Sequence, residues 1–110
     1  MFDMMKMMGK VKEMQGKMKE AQKQLKDIKA VGESGGGIVK AIANGDKEII
    51  SLDIDDSLVN KEDKAIMKDL IIAAINKAVL EADIKAKEHI KKATEGVLPN
   101  IPGLDLSGFS

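Results

Sequence analysis

The chain has 110 residues, with 18 basic and 18 acidic side chains and a formal net charge of zero. That length fits one domain with a modest core, and 44 % hydrophobic with 33 % charged residues describes a folded, helix-rich, soluble protein and not a disordered one. The absence of Cys excludes disulfide frameworks and thiolate metal sites, the longest apolar run (Leu70–Ile75) is far short of the ~18 residues of a membrane span, and Met1-Phe2-Asp3-Met4 has no signal-peptide shape.

Every basic residue is lysine, and there is no Trp or Tyr, only Phe2 and Phe109. Bidentate guanine readout by arginine and base stacking on aromatic platforms are therefore not expected, which leaves lysine as a point charge. The charges are segregated. Residues 1–30 carry eight Lys and four acids, residues 31–60 two Lys and six acids, and residues 61–93 eight Lys and six acids. Two basic segments thus flank an acidic middle.

The first segment reads as a helix with a seam. Met4, Met7, Val11, Met14, Met18, Ala21, Leu25 and Ile28 follow the alternating three- and four-residue spacing of heptad a and d positions. Gly9 and Gly16 fall at f, opposite the seam, where each weakens the helix by about 1 kcal/mol relative to Ala without holing its contact face. Such a helix is marginal alone and needs a partner. Five methionines among the first eight residues read chiefly as core filler with a frayed start, and otherwise as a soft, adaptable binding surface.

The period then changes. Gly32-Glu33-Ser34-Gly35-Gly36-Gly37 is turn-rich; Ile38, Lys40 and Ile42 alternate against Val39, Ala41 and Ala43, and Ile50, Leu52 and Ile54 against Ser51, Asp53 and Asp55. Asn44-Gly45-Asp46 between them predicts a hairpin turn with positive φ. A strand over Ala30–Ser34 turning back through Gly35 and Gly36 makes the sheet three-stranded. Asn60 is expected to cap a second helix over Lys61–Ala93, with Glu62 and Asp63 in its first turn. Its centre, Leu70–Ile75, is apolar nearly all round and is expected to be buried on more than one side. Lys85, Lys87, Lys91 and Lys92 gather near its end, Gly96 stops it, and residues 97–110 read as an extended or disordered Pro/Gly tail.

Catalytic chemistry finds no footing. Gly32 and Gly37 have Walker spacing, but Ile38 stands where Lys is required and the run leads into a strand. Asp53, Asp55 and Asp56 fail as a calcium loop, because Leu58 and Lys64 occupy the Gly and Glu positions; a solvated strand end and turn is the reading. His89 is the only histidine and reads as an exposed helical residue. Ser34 has no sequence-adjacent base to activate it. No enzyme, cofactor, metal site or small-molecule substrate is expected.

Val31-Gly32-Glu33-Ser34-Gly35-Gly36-Gly37-Ile38-Val39-Lys40, then Asn44-Gly45, then Leu52-Asp53-Ile54-Asp55-Asp56-Ser57-Leu58, resembles the signature of the YbaB/EbfC family of bacterial nucleoid-associated proteins. The order of a Met/Lys/Gln-rich helix, a hairpin, a long helix entered through Lys68-Asp69-Leu70 and a Pro/Gly tail is similar too. The resemblance implies an α+β fold, an α-β-β-β-α protomer with two long helices and a small antiparallel sheet, a single domain over 1–96, and a tweezer-like homodimer. It also implies a cytoplasmic, nucleoid-bound protein that binds double-stranded DNA without catalysis or cofactor and affects chromosome organisation and gene expression.

Mapped onto this sequence, DNA contact falls to the helical lysines: Lys6, Lys10, Lys12, Lys17 and Lys19, which lie off the seam, and Lys85, Lys87, Lys91 and Lys92. The lack of Arg and the zero net charge leave phosphate contact with little sequence specificity as the mode. A homodimer is expected independently, since a lone protomer exposes the seam and the hairpin's apolar face; Val11, Met14, Met18, Leu25, Ile28, Ile50, Leu52 and Ile54 are the expected interface. On residue physics alone a pI near 6.6 is not the footprint of a DNA binder. The alternative is a protein–protein adaptor or assembly module that uses the Met-rich heptad helix. A membrane-surface helix would need large anchors and a cleaner division of faces than this helix has.

Overall fold

The computed structural model describes residues 2–95, with side chains from Met4 onward. Gly96 and the expected tail at 97–110 lie outside the described residues. Helix α1 spans Phe2–Gln24 and ends in a tight turn, Leu25–Asp27. Strand β1 (Lys29–Ser34) leads through Gly35–Gly37 into β2 (Val39–Asn44), β3 (Ile49–Ile54), a turn at Asp56–Leu58, and helix α2 (Lys64–Ala93). The strands form one antiparallel sheet in the order β1-β2-β3. This is the expected α-β-β-β-α order.

Small side chains decide how α2 meets the sheet. Alternation along β1 and β2 turns Ala30, Gly32 and Ser34 to the same side as their cross-strand partners Ala43, Ala41 and Val39. On α2, Ala74, Ala78, Ala82 and Ala86 recur every fourth residue and form a buried stripe. Ala30, Val39, Ala41, Ala43, Ala74, Ala78 and Ala82 join Leu58 in one core cluster. Backbones approach so closely that a Cβ on Gly32 would collide with the main chain of Ala74 and Ala78. Ser34 adds a polar pin, its hydroxyl donating to the Leu70 carbonyl at 2.5 Å.

Helix α2 covers β1 and β2 and leaves most of β3 outside its footprint. Ile54 packs against the core, but Ile49, Ile50 and Leu52 are exposed, and Ile50 is the extra residue of a bulge between Ile42 and Ala43. The expectation that Leu70–Ile75 is buried on several sides is met only in part within the protomer: Leu70, Ile71 and Ile75 are half-buried against the core. Only Ala74 is buried, and Ile72 is 58 % exposed, as are Ile66 and Leu80 to similar degrees. Only one face of the three-stranded sheet is turned to α2, and the alanine stripe occupies it.

A second, smaller cluster joins the helices. Ala21 and Leu25 of the first segment bury against Ala86 and Ile90 of α2, with Met18, Ile28 and Ala93 around them. Two turn expectations also change. The positive φ of the hairpin falls on Lys47 (65°), with Gly45 instead serving close approach: its N–H donates to the Leu25 carbonyl at 2.8 Å and a Cβ there would strike Leu25. The Asn44 carboxamide oxygen organises the loop, accepting from the N–H groups of Asp46 and Glu48 at 3.0 and 3.1 Å. Helix α2 begins at Lys64 rather than Lys61; Asn60 caps the preceding turn by accepting from the Asp63 N–H at 2.8 Å.

Candidate nucleic-acid interface

The lysines of α1 stand on a helix that meets the rest of the protomer only at its C-terminal end. Met18 is the first α1 residue in the helix–helix cluster, and Met4, Met7 and Val11 of the same seam are exposed. Lys6, Lys10, Lys12 and Lys19 are exposed and make no ion pair among the described residues. Lys17 lies 3.8 Å from Glu13, one turn earlier, with both side chains about half exposed; such a surface pair contributes only about 0.3–0.5 kcal/mol and holds the ammonium loosely.

The second-helix set divides. Lys85 donates to the Lys29 carbonyl at 3.0 Å, along the outer edge of β1. Lys87 pairs with Asp83 at 3.0 Å, and Lys47 from the hairpin loop reaches the same carboxylate at 3.2 Å. Hydrogen bonds from Lys87, then Lys47, hold the Asp83 carboxyl below its ordinary value. These two lysines therefore already have partners inside the protomer. Lys91 and Lys92, in the last turn of α2, are exposed and have none among the described residues.

Packing brings the two basic segments side by side. Because Ala21 and Leu25 lie against Ala86 and Ile90, the last turn of α2 with Lys91 and Lys92 sits next to the stretch of α1 that carries Lys17, Lys19 and Lys23. His89 is half-buried there, its Nε2 2.8 Å from the Gln24 Oε1. The sequence reading left out Lys23 and Lys26, both exposed at this same end; their position at a helix terminus was the available signal.

The expected interface residues also divide. Leu25 is buried in its own chain, with Met18 and Ile28 packed around it, and Ile54 packs on the sheet core. For this part of the seam α2 of the same protomer already supplies a partner, and Met18, Ile28 and Ile54 keep part of their surface open. Val11, Met14, Ile50 and Leu52 remain exposed or half-buried. The other candidates stay local. Asp55 caps the Asp56–Leu58 turn, its carboxylate held low by hydrogen bonds from the Ser57 hydroxyl and N–H, and no group of three His, Cys, Asp or Glu is placed to hold a metal among the described residues.

These features define a small α+β protein that presents a lysine-bearing helix beyond the edge of its sheet. The chain belongs to the YbaB/EbfC DNA-binding family, whose profile matches residues 1–97. A nucleoid-associated protein of Anaeromyxobacter dehalogenans is 40 % identical over 102 residues, 93 % of this chain and 97 % of that protein. One of Mesorhizobium japonicum is 41 % identical over 106 residues, 96 % of this chain and 98 % of that protein. A nucleoid-associated protein of Caldanaerobacter subterraneus subsp. tengcongensis is 45 % identical over 73 residues, and there the match spans 66 % of this chain but only 64 % of the relative's length. Among solved structures, the crystal structure of an uncharacterized protein from Helicobacter pylori superposes with a TM-score of 0.65 at 30 % identity, covering 74 % of this chain and 86 % of that one.

Proposed function

We propose that this protein binds double-stranded DNA as a homodimer in the bacterial nucleoid, through lysine–phosphate contacts with little sequence preference, and that it acts there on chromosome organisation and gene expression without catalysis. The observation that carries the reading is the row of exposed lysines, Lys6, Lys10, Lys12 and Lys19, on a helix standing clear of the sheet. Family membership supports DNA as the partner, and the relatives' names support the nucleoid, in the cytoplasm, as the place. Lys17, Lys91 and Lys92 extend the cationic surface; Lys85 and Lys87 would have to leave their internal partners to join it. A second copy is the reading for the apolar side chains left bare on α2 and β3, where Ile66, Ile72, Leu80, Ile50 and Leu52 are exposed, more large aliphatic side chains than a small soluble monomer normally shows. Two protomers so joined hold two arms apart, the tweezer-like form.

Mobility shift across a salt series tests this. Each phosphate contact adds about 0.9 to the slope of log affinity against log salt. Replacing Lys10, Lys12, Lys17 and Lys19 by Gln weakens binding to every duplex alike and flattens that slope, while light scattering still gives the dimer mass. Unchanged affinity and slope in this variant would remove α1 from the interface and pass the assignment to Lys91 and Lys92. No binding by the parent at low salt would instead favour the adaptor reading, which the exposed methionines of α1 support.

A further inference from the structure

The seam of α1 has two halves with different fates. Met18, Ala21, Leu25 and Ile28 are covered by α2, whereas Met4, Met7 and Val11, on the same stripe, are exposed. The cause is length: α2 ends at Ala93, opposite Met18 and Ala21. The helices run in opposite directions. Lys85 reaches Lys29, His89 meets Gln24, and the Ile90–Ala93 turn packs near Ala21 and Met18. Helix α2 therefore points along the bare half of the seam. Its exit point is anchored, because Thr94 at the C-cap is fully buried and its hydroxyl donates to the Ile90 carbonyl at 2.8 Å.

We propose that residues 97–109, which lie outside the described structure, cover the bare seam of their own chain's α1. The segment carries Val97, Leu98, Ile101, Leu104, Leu106 and Phe109, no lysine, and Asp105 as its one charge. That composition is matched to an apolar stripe flanked by Lys6, Lys10 and Lys17. Pro99 and Pro102 favour an extended path. From Met18 to Met4 the seam runs about 21 Å at 1.5 Å per residue, and an extended segment of this length spans about 40 Å. The cover continues the packing already made by Ile90 and Ala93, leaves the off-seam lysines free, and does not depend on DNA.

Thioether oxidation reads the cover directly, because Met5 is an internal control. Met4, Met7 and Met5 are 69, 63 and 81 % exposed, so thioethers left bare at these positions should react with dilute hydrogen peroxide at similar rates. Met5 falls at heptad b, away from the stripe. In the full-length protein without DNA, mass spectrometry should show Met4 and Met7 oxidising several-fold more slowly than Met5. A tail docked about nine-tenths of the time gives about tenfold protection, since only the undocked fraction reacts. Substituting Leu98→Ser, Ile101→Ser and Leu104→Ser in the full chain should bring Met4 and Met7 to the Met5 rate and leave Met5 unchanged. Equal rates for all three in the parent overturn the proposal. Protection that survives the serine variant overturns it too, and assigns the seam to a second copy.

Discussion

Gly32→Ala is the sharpest probe of how α2 is seated. The added methyl points into the carbonyl of Ala74 and the amide of Ala78. Both are main-chain atoms inside a helix, so no rotamer change relieves the clash and α2 must lift from β1. Lifting opens the contact between Ala30, Ala41 and Ala43 on the sheet and Ala74, Ala78 and Ala82 on the helix, which has no long side chains to follow the gap. Overpacking typically costs 1–3 kcal/mol; with rigid neighbours on one side and alanines on the other, about 3 kcal/mol is expected here. For a domain of this size 1 kcal/mol is about 4–8 °C in Tm, so the variant should melt at least about 12 °C below the parent by circular dichroism. Gly16→Ala is the matched control. A Cβ there meets nothing within 4 Å, and the change should stabilise α1 by about 1 kcal/mol through helix propensity. A Gly32→Ala protein melting within about 2 °C of the parent would refute the close backbone approach.

Leu25→Ala should free α1 without unfolding the sheet: the loss is about 2–3 kcal/mol, the low end for a buried leucine because the cluster is small and open at its rim. Hydrogen exchange should quicken across Met18–Gln24 and stay unchanged in β2. Asp83→Asn concerns acid stability. The native carboxyl titrates below its ordinary 3.8 because Lys87 and Lys47 bond the charged form, so its contribution is present above that value and is lost as pH falls through the lower native one. Thermal melts of the parent should therefore drop more steeply below about pH 4 than those of Asp83→Asn, and high salt should narrow the difference; coincident acid limbs would show that Asp83 has no such role.

The elements were legible because each carries its period. The heptad spacing of α1, the alternation around Val39–Ala43 and Ile50–Ile54, and the glycine run each pointed to one local structure. What the pattern left open was which side of the sheet is covered. Ile38 and Ile42 are as apolar as Val39, Ala41 and Ala43, so alternation alone does not choose. The choice rests on Gly32 and on alanine at every fourth position of α2, a signal present in the sequence at Ala74, Ala78, Ala82 and Ala86. The second half of the seam, Met18 to Ile28, is a contact face against α2, but a heptad does not say whether its partner is another copy or the same chain. The partners of Lys85 and Lys87 divide in the same way. Asp83 and Lys87, one helical turn apart, form a pair visible in sequence, whereas Lys47 and the Lys29 carbonyl reach α2 only through the fold.

Net charge zero and the proposed cationic binding surface are compatible once the charges have positions. Among the middle segment's acids, Asp53, Asp55 and Asp56 lie at the end of the sheet where β2 and β3 pair Val39 with Ile54, next to Leu70 near the start of α2. The helix–helix contact is at the opposite end, where Lys29 pairs with Asn44. Asp46 and Glu48, in the hairpin loop, share that end; beside them Lys47 is already spent on Asp83. From Met18, where α1 leaves the body, Lys6 stands about 18 Å out along the helix, close to two Debye lengths at 0.1 M salt. At that range the acids of the sheet are screened from the arm, and a phosphate approaching it meets the local lysines and not the neutral whole. A molecule 73 Å long and 24 by 15 Å across can in this way be neutral in total and basic at one end. The same reasoning makes the arm's attraction short-ranged. Under the proposed lysine–phosphate mode, raising the salt shortens the screening length and should weaken binding directly, and an affinity insensitive to salt would place the binding surface elsewhere.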